Sequence, residues 1–97
     1  MKRKTVKKSD RRWFVYIVKC KDGSFYTGIT VDLDRRLKQH NEGTASRYTR
    51  SRRPVKLVYR EEGHSRSSAL KRELAIKAMT RREKLKLSRV CENGITR

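Results

Sequence analysis

Five side chains stand out because their types and spacing could do polar chemistry together: Tyr16, Tyr26, Arg36, His40 and Glu73. A guanidinium bonds phosphate oxygens in pairs through its planar fork, which makes Arg36 a candidate anion clamp. Arg36 and His40 are four residues apart, so on a helix they share one flank. Glu73 falls among Ala69, Leu70, Leu74 and Ile76, inside an apolar stripe. A carboxylate there is costly unless something pairs with it. An i,i+4 ion pair with Lys77 is the plainer partner, but such a pair belongs more naturally on the polar face, so position favours a bound cation. Taken singly, the tyrosines read as core or rim residues and the arginine and histidine as solvated. It is the combination that points to a site.

The elements that must position these groups follow from local pattern. Trp13–Val18 is a β-branched and aromatic run and reads as a strand. Asp22-Gly23 signals a two-residue hairpin turn with positive φ, and Phe25–Thr30 returns as the second strand. Gly28 interrupts that strand, which marks a place where another group comes close to the backbone. A helix follows, capped by Thr30 or Asp32 and closed before Gly43, with Leu33 and Leu37 on its apolar face. Val55–Arg60 is a third strand, with Val55, Leu57 and Tyr59 on one face, expected beside the first. Ser65 or Ser67 caps a helix over Ser68–Met79. Thr80-Arg81-Arg82-Glu83 is a capping box that opens a last short helix carrying Leu85, Leu87 and Val90. The fold class is α/β (α+β): a three-stranded antiparallel sheet flanked by helices, in the order β-β-α-β-α-α. Residues 1–12 form a basic disordered tail, 13–90 the domain and 91–97 a C-terminal tail.

With 97 residues there is room for one core and not two. The 28 Lys and Arg against 10 Asp and Glu leave a net charge of +18, an imbalance best explained by a polyanionic partner. Nucleic acid comes first. An anionic membrane surface comes second, because no long amphipathic helix with a broad apolar face is present. No apolar run approaches membrane-spanning length and no secretory signal is found, so no membrane association is expected. Two cysteines, Cys20 and Cys91, do not make a disulfide framework, and with His40 and His64 they do not space a structural zinc site. The reading is a reduced, cytoplasmic protein. Met1–Arg12 holds seven basic residues and contributes charge rather than chemistry; a nuclear import signal would look similar. The segment 41–54 places Arg47, Arg50, Arg52 and Arg53 beside the candidate site for phosphate contacts, with Tyr48 available to stack on an exposed base.

Phe14-Val15-Tyr16, then Tyr26-Thr27-Gly28, then Arg36, His40 and Glu73 resemble the GIY-YIG nuclease domain, over about Trp13 to Arg82. The likeness is strongest to the small single-domain YhbQ-like members and the Slx-type structure-specific endonucleases. Phe14 stands where the first glycine of the name-giving motif would be, and Thr27 where its second isoleucine would be. No counterpart is found for the late asparagine that supports the site in larger members. The resemblance implies a metal-dependent endonuclease that hydrolyses DNA phosphodiester bonds, directed by structure more than sequence, in DNA repair or recombination. It implies that Glu73 is the ligand of Mg²⁺ or Mn²⁺, with waters and the DNA phosphate completing the shell. It makes Tyr16 the general base or water-positioning group. A free tyrosine has a pKa near ~10, so nearby cations (Arg36, the metal, Lys77 or Arg35) must make it more acidic. Tyr26 and His40 are orienting partners, Tyr26 an alternative water positioner, and Gly28 lets the backbone pass the scissile phosphate. Arg35 and Lys77 join the phosphate-facing set. The substrate is DNA, branched or single-stranded, with RNA as an alternative and a protein partner for targeting left open. The alternative function is a non-catalytic nucleic-acid-binding module that keeps the fold; a binder has no need to hold these five residues in register.

Overall fold

The computed structural model describes residues 11–92, with side chains through residue 89. The basic tail expected over 1–12 falls almost entirely outside this range, as do Asn93 and the end of the C-terminal tail. Among the described residues no helix is long and apolar enough to cross a membrane.

Strands β1 (Trp13–Lys19) and β2 (Phe25–Thr30) form the expected hairpin. Helix α1 (Leu33–Glu42) and a single helical turn, α2 (Arg47–Arg50), follow. Strand β3 (Lys56–His64) leads into α3 (Arg66–Lys77) and α4 (Arg81–Glu92). The sheet is antiparallel throughout with order β2-β1-β3. The order of elements is the expected one, with α2 as an added turn where a loop was read. Ser46 explains that turn: its Oγ accepts the Thr49 N–H at 3.1 Å, an N-cap four residues before the turn ends.

Val15, Tyr16, Ile17 and Val18 are all fully buried because β1 is central and helices cover both faces of the sheet. Alternation divides the core in two. Tyr16 and Val18 pack with Leu33 and Val55 on the α1 side, while Val15 and Ile17 pack with Ala69 and Ile76 on the α3 and α4 side. Cys20 is a buried free thiol on the α1 side, and burial pushes its pKa up.

Several boundaries differ from the sequence reading for identifiable reasons. The hairpin loop has three residues, Lys21-Asp22-Gly23, rather than two. Gly23 N–H bonds the Cys20 carbonyl at 2.9 Å, and Gly23 alone takes positive φ, at 87°. That is the longer hairpin connection with glycine in the left-handed position. Strand β3 runs four residues past Arg60, because Trp13 pairs with His64 and Glu61 is anchored from three sides. Helix α3 starts at Arg66 because Ser65 and Ser68 form a reciprocal capping box. Its buried face is rotated from the expected stripe: Ala69 and Ile76 are buried, but Leu70 is 38% and Leu74 65% exposed. The turn that exposes Leu74 carries Glu73 inward.

Both caps flanking the site match expectation. Asp32 Oδ1 accepts the Arg35 N–H at 3.1 Å and Gly43 closes α1. Thr80 N–H bonds Glu83 Oε1 at 2.9 Å while Glu83 N–H bonds Thr80 Oγ1 at 3.2 Å, opening α4. Arg81 ties α4 back to the hairpin loop through the Gly23 carbonyl at 2.8 Å.

Candidate active site

The site is organised around the hydroxyl of Tyr16. Tyr16 lies on the central strand with Gly28 as its cross-strand partner on edge strand β2. The space a side chain would take at Gly28 is filled by the phenol: a Cβ there would lie 2.6 Å from Tyr16 Oη and 2.8 Å from Cζ. The close approach read from Gly28 is therefore made by Tyr16, within the fold. Lacking a side chain at this position, β2 lets the ring lie across it.

The Tyr16 hydroxyl hydrogen-bonds His40 Nε2 at 2.8 Å, and His40 Nδ1 meets Thr49 Oγ1 at 2.8 Å. Tyr16, His40 and Thr49 are all essentially inaccessible to solvent. His40 reaches this position because it follows Leu33 and Leu37 on the inward face of α1. Burial, reinforced by the Arg36 charge, holds its pKa below the usual histidine value, so the ring is neutral at pH 7. Tyr26 packs edge-on against the same imidazole, with ring centroids 5.3 Å apart.

Charges of both signs act on the Tyr16 hydroxyl. Burial pushes its pKa well above the ordinary tyrosine value, and Tyr26 adds to this. Arg36 opposes both, by its charge and as a hydrogen-bond donor, and Glu73 adds a smaller upward push. The sequence reading required a more acidic tyrosine; in this protein alone Arg36 acts in that direction but burial outweighs it. Glu73 stands on α3, across the sheet from α1, so its small effect on this hydroxyl comes from the opposite face.

Glu73 is held inward, with its side chain 15% exposed, and one oxygen lies 3.4 Å from Lys77 Nζ. The plainer i,i+4 partner is therefore present, at long range and on a flexible arm that is half exposed. Among the described residues no group of three or more His, Cys, Asp or Glu side chains comes together. The Glu73 carboxylate is an oxygen donor. It fits a hard divalent ion that keeps most of its waters, Mg²⁺ or Mn²⁺, and not a thiolate- or imidazole-bound metal. Helix α3 is held in place by a clamp next to this position. Arg72 Nε bonds Glu61 Oε2 at 2.7 Å, and Tyr59 Oη and His64 Nε2 bond the same carboxylate at 2.6 and 2.8 Å. Burial raises the Glu61 pKa, but the three donors outweigh it and hold the group below its ordinary value. The Tyr59 hydroxyl is pushed up to about 12, by burial first and then by its bond to Glu61.

The arginine-rich segment divides into two groups. Arg47 and Arg50 are exposed on α2. Arg52 is committed internally: its Nε bonds Asp22 Oδ2 at 3.1 Å, its Nη1 bonds the Tyr48 carbonyl at 2.8 Å, and its guanidinium lies 4.0 Å from the centre of the Tyr48 ring. Tyr48 also stacks on Tyr26 at 5.9 Å. Tyr48, expected to be available to stack on a base, is 38% exposed and bridges Tyr26 to Arg52. Arg53 Nε bonds the Arg50 carbonyl at 2.8 Å. Arg35 and Arg36 line a shallow depression of ≈ 290 Å³ at the start of α1, with Thr30, Val31, Asp32 and Gln39.

Two contributors were absent from the sequence reading. Thr49 sits in what read as a loop, and its one signal was Ser46 three residues before it, a capping spacing. Asn41 bonds both backbone groups of Val55, accepting its N–H at 2.7 Å and donating to its carbonyl at 3.1 Å. It fastens the end of α1 to the start of β3.

The family model described as the GIY-YIG catalytic domain matches residues 12–86. The UPF0213 protein DP2720 of Desulfotalea psychrophila is 53% identical over 85 residues, covering 87% of this chain and 77% of the relative. The UPF0213 protein SSP2268 of Staphylococcus saprophyticus is 54% identical over 74 residues, covering 76% and 90%. Among solved structures, that of the UPF0213 protein BH0048 from Bacillus halodurans superposes with a TM-score of 0.52 at 44% identity, covering 80% of this chain and 83% of the other.

Proposed function

Because the chain belongs to the GIY-YIG catalytic domain family, a nuclease family acting on nucleic acid, we propose that it is a divalent-metal-dependent endonuclease that hydrolyses DNA phosphodiester bonds. The single observation that carries this is the buried Tyr16 hydroxyl, held 2.8 Å from His40 Nε2 and lying across Gly28. A binding module needs charge but not a buried phenol–imidazole pair.

In this reading Glu73 would hold Mg²⁺ or Mn²⁺, which would supply charge stabilisation at the phosphoryl group and polarise a water. Tyr16 takes or steers a proton of the attacking water, with His40 Nε2 as the acceptor for its own. Arg36 bonds the nonbridging phosphoryl oxygens as negative charge builds there. Tyr26 holds the His40 ring from its edge. Arg35, Arg47, Arg50, Arg53 and Lys77 contact flanking phosphates. Such contacts set affinity and not sequence, so the enzyme selects by the shape of branched or single-stranded DNA, as suits DNA repair or recombination.

The test is cleavage of a panel of duplex, flapped, branched and single-stranded DNA, and of RNA, with Mg²⁺ and with Mn²⁺. Glu73→Ala should abolish metal-dependent cleavage while leaving affinity for the same DNA within about twofold, since most affinity comes from phosphate contacts elsewhere. Wild-type protein that binds every member of the panel and cuts none would overturn the proposal in favour of a binding module.

A further inference from the structure

Beyond His40, the hydrogen bonds continue through groups that the proposed chemistry does not yet use. Thr49 Oγ1, 2.8 Å from His40 Nδ1, lies 2.9 Å from Ser46 Oγ. Thr49 is fully buried, and Ser46 is only half-buried. The row Tyr16–His40–Thr49–Ser46 thus runs from the reacting phenol to the half-buried N-cap of α2.

We propose that Thr49 is a positioning residue that sets the tautomer of His40 and lets the ring pass a proton without acquiring charge. This rests on Tyr16 acting as proposed above. Among the described residues the only acceptor bonded to the Tyr16 hydroxyl is His40 Nε2. An O–H left without an acceptor in a buried site is costly. Tyr16 therefore donates and Nε2 accepts, so the ring proton is on Nδ1 and is given to Thr49 Oγ1. Which ring nitrogen carries the proton is set by the partner of the other one. Thr49 in turn donates to Ser46 Oγ.

The alternative, charging His40, is unfavourable here. The ring is buried, Arg36 is the cation facing it, and Tyr16 and Tyr26 are its other titratable neighbours. The row of hydroxyls avoids that cost. When Tyr16 is activated, its O–H bond breaks and an N–H forms at Nε2, with the electron pair staying on the phenolate oxygen. At the same time Nδ1 passes its proton to Thr49 Oγ1, Thr49 passes its own to Ser46, and Ser46 releases one to solvent. The ring ends neutral, as the other tautomer. Once Tyr16 has taken a proton from water and given it up with the products, the row runs back.

The test uses the full chain with ¹⁵N-labelled histidine. Imidazole ¹⁵N shifts should show the Nδ1–H form in wild type, change toward Nε2–H in Thr49→Val, and return to the wild-type pattern in Thr49→Ser. Ser46→Ala should shift the ring in the same direction as valine, because Thr49 then turns its hydroxyl to Nδ1; it serves as the second variant if the valine protein does not fold. On cleaved DNA, Thr49→Val should lower kcat roughly 100-fold with KM unchanged, and serine should restore it. An unchanged ¹⁵N pattern in the valine or Ser46→Ala protein, or a serine variant as slow as valine, would overturn the proposal. The spectrum needs no substrate, so a wild type that cuts nothing refutes the nuclease reading without being mistaken for a failure at Thr49.

Discussion

Replacing Gly28 by alanine adds one methyl group at the point where Tyr16 crosses the edge strand. The new Cβ would meet Oη at 2.6 Å, Cζ at 2.8 Å and Cε1 at 3.1 Å, against an ordinary contact of 3.4–4 Å. The phenol must retreat by roughly 0.8 Å, and it is fully buried among close-packed neighbours. A displacement of that size breaks the 2.8 Å bond to His40 or drives His40 back onto Thr49. Overpacking a core costs about 1–3 kcal/mol, and a buried donor left without its partner about 1–3 kcal/mol more. Against this, alanine in a strand is favoured over glycine by roughly 0.5–1 kcal/mol. The net loss is about 1–5.5 kcal/mol, a fall in Tm of ~4–8 °C for each kcal/mol in a domain of this size. Cleavage should fall by roughly 100-fold, because a displacement near 1 Å in a reacting group costs that much. The assay is a thermal melt and a cleavage rate for Gly28→Ala in two backgrounds, wild type and Tyr16→Ala. With the phenol gone, the three atoms nearest to the methyl are removed, so most of the stability penalty should vanish in the second background. An equal penalty in both backgrounds would refute the reasoning, and so would Gly28→Ala melting and cutting like wild type.

Acid should loosen the β3–α3 clamp. Glu61 has a folded pKa below its ordinary value of 4.5, so it contributes stability above that pH and loses the contribution as pH falls through the lower folded value. Glu61→Gln should cost about 2 kcal/mol at pH 7 by urea unfolding and flatten the decline as pH falls below the ordinary carboxyl value of 4.5; a decline as steep as wild type would count against it. The two kinds of arginine near α2 should separate. Arg50→Ala should leave Tm unchanged and lower the salt slope of DNA binding by about one. Arg52→Ala should lower Tm by several degrees, because it releases Asp22 and Tyr48 together; equal behaviour of the two variants would show that the division is mistaken.

Local pattern was sufficient for most of the architecture. The β-branched run at 13–18, the capping box at Thr80–Glu83, the cap at Asp32 and the stop at Gly43 each rest on neighbours within four residues, so the strands and long helices could be read directly. Charge pointed to a polyanionic partner, and the resemblance of the stretch holding Tyr16, Tyr26, Gly28, Arg36, His40 and Glu73 to the GIY-YIG domain pointed to the family. What lay beyond reach were contacts between residues distant in sequence. That Gly28 makes room for Tyr16 depends on the register of two strands. That Arg52 and Tyr48 serve the fold depends on Asp22, thirty residues away from the arginine. Leu74 looked like core by its type, but the rotation of α3 that exposes it is fixed by Arg72 on Glu61 and by the burial of Ala69 and Ile76. Thr49 carried no chemical signal at all; its hydroxyl matters only because folding sets it against an imidazole in a place without water. Sequence specifies which groups are present and how they repeat along the backbone, whereas the environment that gives a hydroxyl its partner and its proton is assembled only when separate elements pack.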